Sequence, residues 1–250
     1  MKLLHVLQHT SAEYLGLIED HLEGRNIRFR YYRPFTEVKV LPKAGATPDG
    51  LILLGGGPWG TAGARDLPAL QREIALARAC LEREQPLIGI GLGAQIVAFA
   101  AGGGSAPAPL SFEVGEAYRV DDGALNGYLP AVYPLAVYMR DWPVPPADAR
   151  VLARDGRERP VLWQAGPRAF GFVGHPGLKL AMVEDLIMEF DEAPADIEVG
   201  LARLRRVQRE LEDALVPIMT GLVQVMGWME PSSPGGPGGQ TGLTGVARQG

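Results

Sequence analysis

Residues 86–103 read PLIGIGLGAQIVAFAAGG. A short apolar run meets glycines at 89, 91 and 93, and a small, apolar, helix-like run follows. Strand, sharp turn and helix in this order is the repeating unit of doubly wound α/β sheets. Such a turn presents its central residue at the helix N-terminus, where an α/β hydrolytic enzyme carries its nucleophile. Here that residue is Gly91, which has no side chain. The stretch therefore points firmly to a fold and withholds the group that would attack.

The rest of the chain repeats the alternation. Residues 3–9, LLHVLQH, read as a short buried strand, and residues 12–23 as a helix with apolar positions at 14/15, 18 and 22, stopped by Gly24. IRFRYY is a second, half-buried strand and DGLILLGGG (49–57) a third. A helix over 67–84 sets Leu67, Leu70, Ile74 and Leu81 roughly on one side, before the strand PLIGI and the helix AQIVAFAAG. The expected fold is a three-layer α/β domain with a mostly parallel central sheet and helices on both faces. Ligands of such sheets sit beyond the carboxyl ends of the strands, where the glycine turns 55–57 and 91–93 fall. Residues 110–173 hold shorter strands and frequent prolines, which fit hairpins or a mixed extension of the sheet. Residues 178–190 return to helix.

A C-terminal helical extension follows. Asp196 is placed to cap it, and Ile197, Leu201, Leu204, Val207, Leu211 and Leu215 form an apolar stripe. Pro217 is expected to kink or break the helix, with Gly221 and Gly227 weakening its continuation. The last twenty residues contain seven glycines and three prolines and read as a disordered tail or extended arm. The resulting division is a domain over 1–192, an extension over 193–230 and a tail over 231–250.

Composition narrows the function classes. The formal net charge is -5 with acids and bases interspersed, which argues against a nucleic-acid surface. One cysteine, Cys80, excludes an internal disulfide. His5 and His9 lie about 13 Å apart along an extended strand, so the four histidines suggest no metal site, and no cofactor is expected. No run approaches the ~20 apolar residues of a membrane span, and the polar turn after MKLLHVLQH argues against a signal peptide. A cytoplasmic protein is the expectation.

Taken together, LHVLQH, the segment with Glu13 and Gly16, PDGLILLGGGP (48–58), PLIGIGLGAQIVAFAAGG and the stretch 141–177 ending in GHPG resemble the class I glutamine amidotransferase-like family. The resemblance covers about residues 1–190 in order and spacing. It implies a flavodoxin-like amidotransferase fold. In that family a cysteine attacks the glutamine amide, a histidine is its base and a glutamate orients the histidine. Gly91 stands at the cysteine position, His175 at the histidine and Gly177 at the glutamate. Gly55, Gly56, Gly57 and Leu92 match the loops that supply oxyanion N–H groups, and Gln95 matches the elbow glutamine. With two of three triad side chains absent, no useful glutaminase turnover is expected, and the tautomer of His175 is expected to be unfixed.

The leading expectation is a catalytically degenerate protein acting by association, as a non-catalytic subunit, scaffold or homo-oligomer. Its pocket is either empty or holds a small carboxylate or amide near the glycine turns. Leu201, Leu204, Leu211, Leu215, Met226 and Trp228 are the candidate interaction residues, with packing on the parent domain the simplest use of the stripe. One alternative is a hydrolase or transferase on amide or γ-glutamyl bonds using His175 and water. A second is a small-ligand-sensing regulator.

Overall fold

A computed structural model describes residues 1–35, 41–43, 45, 46 and 49–229. The chain begins with β1 (Leu3–Leu7), α1 (Ile18–Glu23), β2 (Arg28–Tyr32), β3 (Leu51–Leu53), α2 (Leu70–Glu82), β4 (Leu87–Ile90) and α3 (Leu92–Ala100). It continues with β5 (Gly104–Ala106), β6 (Ser111–Arg119), β7 (Val132–Met139), β8 (Trp142–Val144), β9 (Arg150–Asp155), β10 (Pro160–Gln164) and β11 (Ala169–Phe172). Two helices, α4 (Leu180–Glu189) and α5 (Ile197–Val225), follow.

Nine strands form one sheet in the order β2-β1-β3-β4-β11-β10-β9-β6-β7. The first five are mutually parallel. The other four continue antiparallel, the mixed extension expected of residues 110–173. Successive residues of a strand face opposite sides. Accordingly Ile52 and Ile88 join one buried cluster, while Leu51, Leu53 and Leu87 join the other, with α2 and α3. The expected layered architecture with a C-terminal helical extension is the one observed.

Three expectations are corrected here. The helix expected over 12–23 forms only from Ile18, because residues 10–17 are drawn into a loop across the strand ends. Asp196 stands before α5 but makes no side-chain capping bond. Pro217 neither ends nor breaks the helix, which runs for 29 residues through it. A proline within a helix costs about 3 kcal/mol. Leu215, Ile218, Met219 and Leu222 are all buried around it, at about 1.5–3 kcal/mol each, so packing outweighs the lost hydrogen bond. Gly221 belongs there because a Cβ would overlap the Leu125 carbonyl.

The stripe of α5 is core. Leu201, Leu204 and Leu211 pack with Phe112, Tyr138 and Met182. Leu215, Met226 and Trp228 join the cluster that holds Leu4, Ile52 and Ile88. The Trp228 indole N–H also donates to the Asp49 carbonyl at 2.6 Å. These six residues are thus covered by their own chain, and a partner would have to use another face. The expected tail over 231–250 lies outside the described residues.

Candidate functional site

The two glycine turns meet at the carboxyl ends of β3 and β4. The Gly91 N–H donates to the Phe172 carbonyl at 2.9 Å, and the Gly93 N–H donates to Leu54 at 3.1 Å. Gly89 and Gly93 serve close approach, since a Cβ on either would overlap backbone of the neighbouring element. Gly91 serves conformation: its φ of 58° and ψ of -115° lie where L side chains are strained. Space is not what excludes a side chain at 91, because the nearest atom to a Cβ there is the Gly55 Cα at 3.4 Å.

Gln95 is fully buried and works as a brace. Its amide donates to the Arg140 carbonyl at 2.7 Å and accepts from the Thr61 hydroxyl at 2.6 Å. Asp141 completes the brace by accepting from the Thr61 and Ala62 N–H groups. Leu92 is buried, its side chain lying where a Cβ on Gly56 would go.

His175 follows β11 by three residues, at the strand end next to the elbow. Its Nε2 lies 2.8 Å from the Tyr14 carbonyl, and its Nδ1 accepts from the Gly177 N–H at 3.1 Å. A carbonyl only accepts and an N–H only donates, so this pair of partners specifies the neutral Nε2–H tautomer. Burial pushes its pKa down to about 4, against the pull of the Tyr14 carbonyl. The expectation of an unfixed tautomer is therefore corrected: backbone holds the ring where no carboxylate does. Both nitrogens are engaged, which leaves neither free to activate water.

Gly177 has no room for an acid. A Cβ there would lie 2.9 Å from Ile18 Cγ1 and 3.0 Å from the Ile18 nitrogen. The Leu17 N–H donates to the Gly177 carbonyl at 2.9 Å. The occupant of this space is the loop 10–17, held at its start by Glu189, which accepts from the Ser11 and Ala12 N–H groups.

The same loop inserts Glu13 against the 55–57 turn. Glu13 is 4% exposed, and its Oε2 accepts a hydrogen bond from the Gly57 N–H. Burial pushes its pKa up to about 7, although the Gly57 N–H and His9 both pull it down. Beneath lies a second buried pair. His9 Nε2 is 2.7 Å from Glu73 Oε2, and His9 Nδ1 faces the carbonyls of Leu54 at 3.0 Å and Gly55 at 3.2 Å. With acceptors on both sides the ring donates twice, the imidazolium pattern. Burial alone would lower its pKa, but Glu73 and the two carbonyls raise it above the ordinary value.

Glu13, His9 and Glu73 as a cluster are not evident in the sequence. The available signal was an acid at 73 on the Leu70–Ile74–Ala77 face of a helix, and another between Ala12 and Leu15. Among the described residues, no group of three or more His, Cys, Asp and Glu side chains is arranged to hold a metal ion, and no helix is long and apolar enough to cross a membrane.

Residues 11–143 match the family described as glutamine amidotransferase class-I. No curated protein matches the sequence. Among solved structures, a glutamine amidotransferase from Thermotoga maritima is similar at 21% identity and TM-score 0.72, over 90% of this chain and 98% of that one. A glutamine amidotransferase from Methylobacillus flagellatus is similar at 20% identity and TM-score 0.71, over 90% and 95%. At these identities the likeness is one of fold.

Proposed function

The chain belongs to the glutamine amidotransferase class-I family, and we propose that it is a catalytically degenerate member, a non-catalytic subunit or assembly partner without glutaminase turnover. The observation that carries this reading is the elbow itself. Residue 91 keeps the strained backbone of a nucleophile turn, with space beside it, and offers no nucleophile. Three further features support it. His175 is held neutral by backbone on both nitrogens, Gly177 is walled in by Ile18, and the Gly57 N–H already has a carboxylate. A hydrolytic role for His175 with water is disfavoured by the same contacts. Association then uses faces other than the buried stripe of α5.

The test is ammonia or amine release from glutamine and γ-glutamyl amides by the full chain, beside H175A. Background release from both is expected. Release by the wild type that disappears in H175A overturns the reading. Light scattering of the eluting full chain then measures self-association directly.

A further inference from the structure

We propose that the Gly55–Gly57 turn is a carboxylate-binding site whose resident ligand is the chain's own Glu13, and that a small external carboxylate takes the same place once Glu13 is removed. The proposal deepens the non-catalytic reading and rests on it in one respect: with no side chain at 91, the donor has no reaction to serve.

Three observations carry it. First, the Glu13 carboxylate sits directly on the Gly57 N–H, 44 residues away in sequence, and is almost wholly buried. Second, the turn is shaped around it. A Cβ on Gly55 would overlap the Glu13 carboxyl group, and the backbone at 55 is not in the left-handed region, so glycine there makes room for an occupant rather than for a turn. Third, part of the cost of burying a carboxylate here, which as a whole raises the Glu13 pKa to about 7, is offset by a neighbouring charge. The groups facing Glu13 are the His9 imidazole, which favours the carboxylate, and Glu189, which opposes it; Tyr138 feels its charge in turn. His9 is held against the Leu54 and Gly55 carbonyls, on the same turn, by Glu73. A buried carboxyl group with one N–H donor and an imidazole close by is a receptor in its filled state.

The experiment compares thermal unfolding midpoints in sodium acetate and in sodium chloride at equal ionic strength and pH 8. The wild type is expected to respond equally to both salts. E13A is expected to gain an acetate-specific rise that grows logarithmically with concentration and reaches about 3 °C at about ten times the dissociation constant. E13A/G55A is expected to lose that rise, because the new methyl fills the carboxylate's place. An E13A protein indifferent to acetate, or a wild type that responds as E13A does, overturns the proposal.

If E13A does not fold, the Gly57 amide resonance at pH 8 decides. It should move markedly between the wild type and E13Q, because the substitution removes the charged acceptor of that N–H; an unmoved resonance overturns the proposal. Ammonia release from glutamine would instead sink the non-catalytic reading and leave these outcomes in place.

Discussion

His9 and His175 are both buried near the carboxyl ends of the parallel strands, and they have opposite characters. His9 has a carboxylate on one nitrogen and two carbonyls facing the other, so its charged form is held. His175 has a carbonyl on one side and an N–H on the other, so its neutral form is held. His175 is thus held by backbone alone, while His9 has the carboxylate of Glu73. The difference shows that burial alone does not set a histidine's charge. The Glu73 charge beside His9, absent at His175, and the hydrogen-bonding character of the neighbours decide between the two forms.

The comparison breaks most readily at Glu73. Replacing it with alanine leaves a buried imidazolium without its counter-ion, and a loss of about 3–5 kcal/mol is expected in urea unfolding. E73Q keeps an acceptor and should lose less. At His175, the neutral fold predicts a dependence on acidity. Its pKa falls from 6.5 unfolded to about 4 folded. Its contribution is complete above pH 6.5 and is lost as pH falls through 4, by about 3 kcal/mol in all. Unfolding of wild type against H175Q between pH 4 and 7 measures it.

His9 has the opposite sign. Its folded pKa is raised, so its contribution is complete below 6.5 and lost as pH rises through the folded value. Histidine ring resonances should show His9 protonated at pH values where His175 is neutral. The smallest effect is expected at the elbow. G91C should fold with a penalty of about 1–2 kcal/mol for its positive φ, and it should release no ammonia from glutamine above background.

Much of the fold was legible in the chain. The strand–glycine–helix units at 49–57 and 86–103 are local patterns, and the apolar 3–4 spacing from Ile197 announces a helix with one buried face. The meeting of the two turns at the carboxyl ends of neighbouring strands follows from the repeated strand–turn–helix order of a parallel sheet. The loop 10–17 was not legible, because its apolar spacing fits a helix, and only distant partners pull it out of one. Glu189 holds Ser11 from 178 residues away, and Tyr14 meets His175 from 161 away. Pro217 does not break α5 for a related reason: a local breaker is overruled by the burial of its neighbours.

The sequence by itself determined the alternating architecture and the bare position at 91, since periodicity and the identity of a residue need no partner to be read. Only the tertiary structure decided that α5 buries its stripe on its own sheet, that His175 is neutral, and that Glu13 fills the turn. Each of these depends on which groups the folded chain brings within hydrogen-bond or van der Waals reach, and low-dielectric burial makes those few contacts decisive.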